Sequence, residues 1–139
     1  MTIPLRALFV VAGLAAPLPA WAGDLSIDLN RLENQNGSCR VTMVIVNSRP
    51  AAADALRADL VMFGANGVAA RRLAIDLGPV PANKTIVKAF DIGGLGCGDI
   101  GSILLNDIPA CHFAGQPAGT PACLDGTTIS SKTDIKFFK

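Results

Sequence analysis

The chain has 139 residues, a mean hydropathy of +0.43 and a formal net charge of +1. This length suits one ordinary domain, and an apolar content of 50% excludes a disordered chain. The near-zero charge excludes a protein that binds nucleic acid or an acidic membrane mainly by electrostatic attraction.

The first 22 residues predict a signal peptide that is cleaved after Ala22. Arg6 precedes an apolar run over Ala7–Ala16, and Ala20-Trp21-Ala22 has the A-x-A form of a cleavage site. A membrane span needs about 20 apolar residues, whereas glycine and two prolines interrupt this segment. We therefore expect a general secretion signal, no transmembrane anchor after cleavage, and a periplasmic or secreted protein.

Cleavage leaves residues 23–139 as a single predicted domain with no net charge. Arg6 is the one charged residue of the removed segment, so the remainder carries 11 basic and 11 acidic side chains. The removed segment also contains Trp21, the only tryptophan, and the sequence has no tyrosine. Sugar platforms and grooves for single-stranded nucleic acid are built largely from these two residue types. The composition therefore argues against both kinds of site.

Seven short segments of the mature chain have the alternation and residue types of β-strands. The dipeptides Asn36-Gly37 and Asn66-Gly67 are typical of hairpin turns. In chain order, the predicted strands are Leu25–Leu29, Cys39–Asn47, Leu56–Phe63, Val68–Leu77, Thr85–Ile92, Ile100–Ile108 and Thr127–Phe138. This pattern predicts an all-β fold, a single antiparallel immunoglobulin-like sandwich of about seven strands.

Two segments leave a helical alternative open. Ala51–Leu56 follows Pro50, and proline is common in the first turn of a helix. Asp99–Asp107 places apolar residues at helical spacing, but Gly101 and Asn106 weaken a helix there. We favour a strand for the second segment.

Four cysteines in a small exported domain predict two disulfides. If consecutive strands reverse direction, the second and sixth strands begin at the same end of the sandwich, which pairs Cys39 with Cys97. The sixth strand ends and the seventh begins at the other end, which pairs Cys111 with Cys123. The chain has no C-x-x-C pair and one histidine, so we expect no redox site, metal or cofactor.

Other motifs also favour structural over catalytic interpretations. Gly96–Gly101 matches G-x-G-x-x-G, yet a cysteine lies inside it and no βαβ unit follows, so we expect a loop around a cystine. The serines lack a G-x-S-x-G context for a triad with the single histidine. Asp28, Asp59 and Asp76 fall on the predicted solvent side of their strands, where charge is ordinary. We expect no catalytic residues.

Two short segments supply candidate contacts with a partner. His112 and Phe113 are the large side chains of the loop that the Cys111–Cys123 disulfide would close, and such a loop is preorganised for binding. Phe137 and Phe138 end the last predicted strand, which either buries its final ring or forms a sheet edge open to strand addition.

A resemblance rests on three patterns spread over most of the mature chain. They are Leu-x-Ile-x-Leu-Asn-x-Leu-Glu from Leu25, Gly-x-Cys-Arg-x-Thr from Gly37, and Cys97 followed by Leu104-Leu105-Asn106-Asp107. The chain resembles small exported proteobacterial proteins of uncharacterised function, which implies an exported domain.

Together, these patterns predict a non-enzymatic interaction or envelope-accessory module, with an envelope protein as the expected partner and no nucleic acid. The alternative from another class is a small secreted hydrolase or inhibitor that acts through the loop between Cys111 and Cys123.

Overall fold

The computed structural model describes residues 25–117 and 123–139. The predicted signal peptide lies outside the described residues, as do positions 118–122 of the second disulfide loop. Eight strands form in the order β1 Leu25–Gln35, β2 Ser38–Asn47, β3 Ala53–Phe63, β4 Ala69–Asp76, β5 Lys84–Gly93, β6 Ser102–Phe113, β7 Thr127–Ser131 and β8 Lys136–Phe138. A short 3-10 helix, Cys97–Asp99, precedes β6.

The strands form two four-stranded sheets, which we call sheet I, in the order β5-β2-β1-β7, and sheet II, in the order β4-β3-β6-β8. The all-β prediction is confirmed. The strictly antiparallel prediction is wrong, because β7 pairs with β1 and β8 pairs with β6 in parallel.

The strand count of about seven is corrected to eight, because the predicted last strand is two strands. Side-chain oxygens of Ser131 and Thr133 accept backbone N–H groups of the intervening turn. This turn takes the chain from an edge of sheet I to an edge of sheet II. A local pattern of alternating residues does not show where such a crossing interrupts it.

Both segments with a helical alternative are extended near their C-terminal ends. Ala53 already belongs to β3, so the chain is in a strand two residues after Ala51. Cys97–Asp99 forms one 3-10 turn, and Ser102 begins β6. Pairing with neighbouring strands satisfies the backbone hydrogen bonds of both segments, and this outweighs local helical spacing.

The core lies between the two sheets and is almost entirely aliphatic. The alternation of β1 and β2 turns every second residue inward, including Ile27, Leu29, Met43 and Ile45. Phe113 and Phe137 are the buried aromatic side chains among the described residues. Asn47 is also buried and donates to the carbonyl oxygens of Ala51, Val80 and Pro81.

Candidate functional site

Both predicted disulfides are confirmed. Cys39 lies in the buried start of β2 and pairs with Cys97 of the 3-10 helix, with Cα atoms 4.8 Å apart. Cys111 lies near the end of β6 and pairs with Cys123, with Cα atoms 6.1 Å apart. The two cystines therefore fix opposite ends of the sandwich.

The G-x-G-x-x-G segment is a packed loop at the first cystine, as predicted. Asn34 Oδ1 accepts the backbone N–H of Cys97 at 2.9 Å. A Cβ at Gly101 would lie 2.7 Å from the Gly64 carbonyl oxygen, so this glycine is required for close approach of two backbones. Gly98, in contrast, has nothing within 4 Å of a built Cβ.

His112 uses both ring nitrogens for contacts within the domain. Nδ1 lies 2.6 Å from Asp54 Oδ1, and Nε2 lies 3.1 Å from the Gln116 carbonyl oxygen. Both partners are acceptors, so the doubly protonated ring satisfies both contacts. The hydrogen bond with Asp54 is the main reason that the pKa of His112 is raised, and the Gln116 carbonyl acts in the same direction.

The other three predicted contact residues differ in their accessibility. Phe113 is buried, and the guanidinium carbon of Arg49 lies 4.3 Å from its ring centroid. Phe137 is also buried, whereas Phe138 points to the opposite side of β8. The alternation in β8 therefore sends one ring into the core and the next to the outer face of sheet II.

Phe138 belongs to an apolar cluster on the outer face of sheet II. Its ring centroid lies 6.3 Å from that of Phe63, within the usual range for an aromatic pair. Strand register places Val61 opposite Leu104, and Leu104 opposite Phe138. We call these four half-buried residues, Val61, Phe63, Leu104 and Phe138, the outer-face cluster. Three of them, all but Phe138, were not predicted from the sequence, because their proximity depends on register across three strands.

Two of the three aspartates on the outer sides of their strands are nevertheless largely covered by neighbouring side chains. The Asp59 side chain is only 10% exposed, because the Arg72 fork contacts both of its oxygens and Asn106 donates to one. The hydrogen bonds from Arg72 are the largest cause of its lowered pKa. Asp28 accepts from Ser130 and is 14% exposed, whereas Asp76 is 74% exposed as expected.

A cleft of about 490 Å³ lies beside β1, near the first cystine. Its lining includes Leu32 of β1, Cys97 of the 3-10 helix, and Lys132, Asp134 and Ile135 of the turn between β7 and β8. Both apolar and charged side chains face this space.

In residues 25–117 and 123–139, no three His, Cys, Asp or Glu side chains are grouped so that they could hold a metal ion. No helix in the same ranges has the length and apolar character that crossing a membrane requires.

Comparison of the chain with protein-family models, with curated proteins and with solved structures finds no match.

Proposed function

We propose that this chain is an exported, non-enzymatic interaction module of the cell envelope, with the outer-face cluster as its contact surface. The observation that carries the proposal is the aromatic pair of Phe63 and Phe138 on the outside of sheet II. A strand with one side in the core usually turns polar residues outward. Here three neighbouring strands turn half-buried apolar side chains outward at one place, and such a grouping supports a contact surface.

The scaffold suits such a role in an oxidising compartment. Two disulfides and no free cysteine are typical of exported domains rather than cytosolic ones. The strand order supports an immunoglobulin-like assignment, because β2 pairs with β1 and β5 while β3 pairs with β4 and β6. Contact residues on the strands of a rigid sandwich lose little conformational entropy on binding.

The charged side chains beside the cluster have partners within the domain. Arg72 is paired with Asp59, and Arg57 with Asp76, on the same outer face. Lys136 Nζ lies 4.9 Å from the Phe138 ring centroid. An apolar partner would thus meet charges that already have partners, which lowers the cost of removing water from this face.

The alternative, hydrolysis through His112, lacks a comparable arrangement. A general base must be within hydrogen-bond reach of the proton that it removes from a nucleophile. Nε2 of His112 instead faces the Gln116 carbonyl oxygen, and Nδ1 faces Asp54. The ring holds the start of the second disulfide loop against β3.

The test compares capture of envelope proteins by the wild-type domain and two variants. We expect a stoichiometric partner from an extract of the host cell envelope, and at least about tenfold weaker binding by the Phe63→Ser/Phe138→Ser variant. Val87→Ser is the matched control, because Val87 is 63% exposed on the outer face of sheet I. Equal capture by the double variant, or a turnover abolished by His112→Ala, would contradict the proposal.

A further inference from the structure

Strand β1 extends well beyond β7, the strand that pairs with it on one side. The parallel pairing of β1 with β7 ends at Leu29 and Ser131. The antiparallel pairing with β2 continues, after an irregularity between Leu29 and Arg31, as far as Gln35 and Ser38. In the part of the chain that the structure describes, β1 thus has a paired strand on only one side over positions 31–35.

The hairpin fixes which backbone groups face this open edge. Gln35 and Ser38 flank the two-residue turn and face each other, so Gln35 directs its N–H and C=O towards β2. Backbone groups alternate along a strand, and those of Leu32 and Asn34 therefore point away from β2. Two N–H and two C=O groups lie on this edge in the alternating pattern that an extended peptide complements.

The open edge borders the 490 Å³ cleft. Its lining includes the apolar side chains of Leu32 and Ile135 and the opposite charges of Lys132 and Asp134. The volume lies within the range of about 300–1,000 Å³ that is common for ligand sites. A residue placed opposite Leu32 on an added strand would direct its side chain towards this space, since cross-strand neighbours share a face.

Edge strand β5 and the part of β6 that extends past β8 carry features that discourage pairing. Lys84 and Lys88 lie on the core-facing side of edge strand β5, opposite Asn47 and Met43, and inward-pointing charges at an edge oppose strand addition. Pro109 interrupts the part of β6 that extends past β8 and removes a donor there. Positions 31–35 contain neither lysine nor proline, and the two charged side chains there, Arg31 and Glu33, pair with each other at 3.6 Å.

We propose that the edge of β1 at positions 31–35 binds an extended peptide segment of another protein as an added strand, with an aliphatic side chain in the adjoining cleft. Main-chain hydrogen bonds to Leu32 and Asn34 provide the affinity, and the cleft provides the selection for an aliphatic residue. This site is separate from the outer-face cluster, so either proposal can fail without the other.

The experiment selects peptides on the disulfide-bonded protein and then removes one edge donor. A phage-displayed library of random dodecapeptides is selected on the wild-type protein, and the enriched sequence is synthesised. Leu32→Pro deletes an N–H that faces away from β2, so the hairpin ladder keeps its bonds. We expect binding to weaken about tenfold in Leu32→Pro and to persist in the matched control Leu32→Val, which keeps the donor.

A second measurement leaves the protein unchanged. Methylation of the peptide nitrogens that face β1 should abolish binding, whereas methylation of the alternate nitrogens should not. In ¹⁵N-labelled protein, the bound peptide should shift the amide signals of Leu32 and Asn34. The Phe63→Ser/Phe138→Ser variant should bind the peptide as the wild type does.

Three results would overturn the proposal. The first is that the selection enriches no sequence. The second is that peptide affinity is unchanged by methylation of either set of peptide nitrogens. The third is a wild-type dimer in sedimentation that Leu32→Pro dissociates, because a second copy of the chain would then be the occupant of this edge.

Discussion

The two disulfides close loops of very different length, and this difference predicts how much each contributes to stability. Cys39 and Cys97 are 58 positions apart, and Cys111 and Cys123 are 12 apart. If a disulfide acts by restricting the unfolded chain, the first contributes about 4 kcal/mol and the second about 3 kcal/mol. Cys39 is also fully buried, so replacing it by alanine adds the cost of lost packing.

The matched variants are the Cys39→Ala/Cys97→Ala and Cys111→Ala/Cys123→Ala pairs, compared with the wild type by urea unfolding. For a slope of about 2 kcal/mol per molar urea, a loss of about 4 kcal/mol lowers the midpoint by about 2 M. A domain of this size has a total stability of roughly 6–18 kcal/mol, so both changes are measurable. Equal losses, or a larger loss from the Cys111–Cys123 pair, would refute the reasoning from loop length.

Three further predictions test single side chains. The hydrogen bond with Asp54 raises the pKa of His112. This pair therefore stabilises the fold below about pH 6.5, and its contribution is lost as the pH rises through the pKa of His112 in the folded protein. Asp54→Asn should lower the pKa of His112 measured by NMR, and an unchanged pKa would contradict the assignment. Asn47→Ala should lower the free energy of unfolding, measured by urea denaturation, by about 3 kcal/mol, because it leaves buried carbonyl groups without their donor. A loss below about 1 kcal/mol would count against this reasoning. Gly101→Ala should lower the free energy of unfolding by about 1–3 kcal/mol, because the added Cβ contacts a neighbouring backbone. The control Gly98→Ala should change it by no more than about 0.5 kcal/mol. Thermal unfolding of both variants measures the difference.

Much of the fold was predictable because its signals are local. Alternation in Leu25–Leu29 indicated which residues turn inward, the apolar run within Cys39–Asn47 indicated a strand, and Asn36-Gly37 marked the hairpin. The disulfide pairing followed from strand direction, since successive reversals place the starts of the second and sixth strands at one end of the sandwich and the end of the sixth and start of the seventh at the other. Each inference required only short-range periodicity and the reversal of successive strands.

The candidate contact residues were predictable only in part. Phe138 was singled out because it ends the last predicted strand beside a second phenylalanine, but its neighbour Phe63 lies 75 positions earlier in the sequence. Burial of Asp59 also escaped prediction, because the charged fork that covers it comes from another strand. Register between distant strands has no local sequence signal, so side chains brought together by it are not visible in a single strand.

The sequence by itself determined the strand composition, the aliphatic core and the two cystines, because each follows from residue type and spacing. Only the tertiary structure decided that the last predicted strand divides between the sheets and that β1 continues past β7. These features depend on where non-local pairing begins and ends. The limits of this pairing are determined by backbone hydrogen bonds and packing between segments that lie far apart in the chain. They determine which side chains form the outer-face cluster and which part of β1 is an open edge.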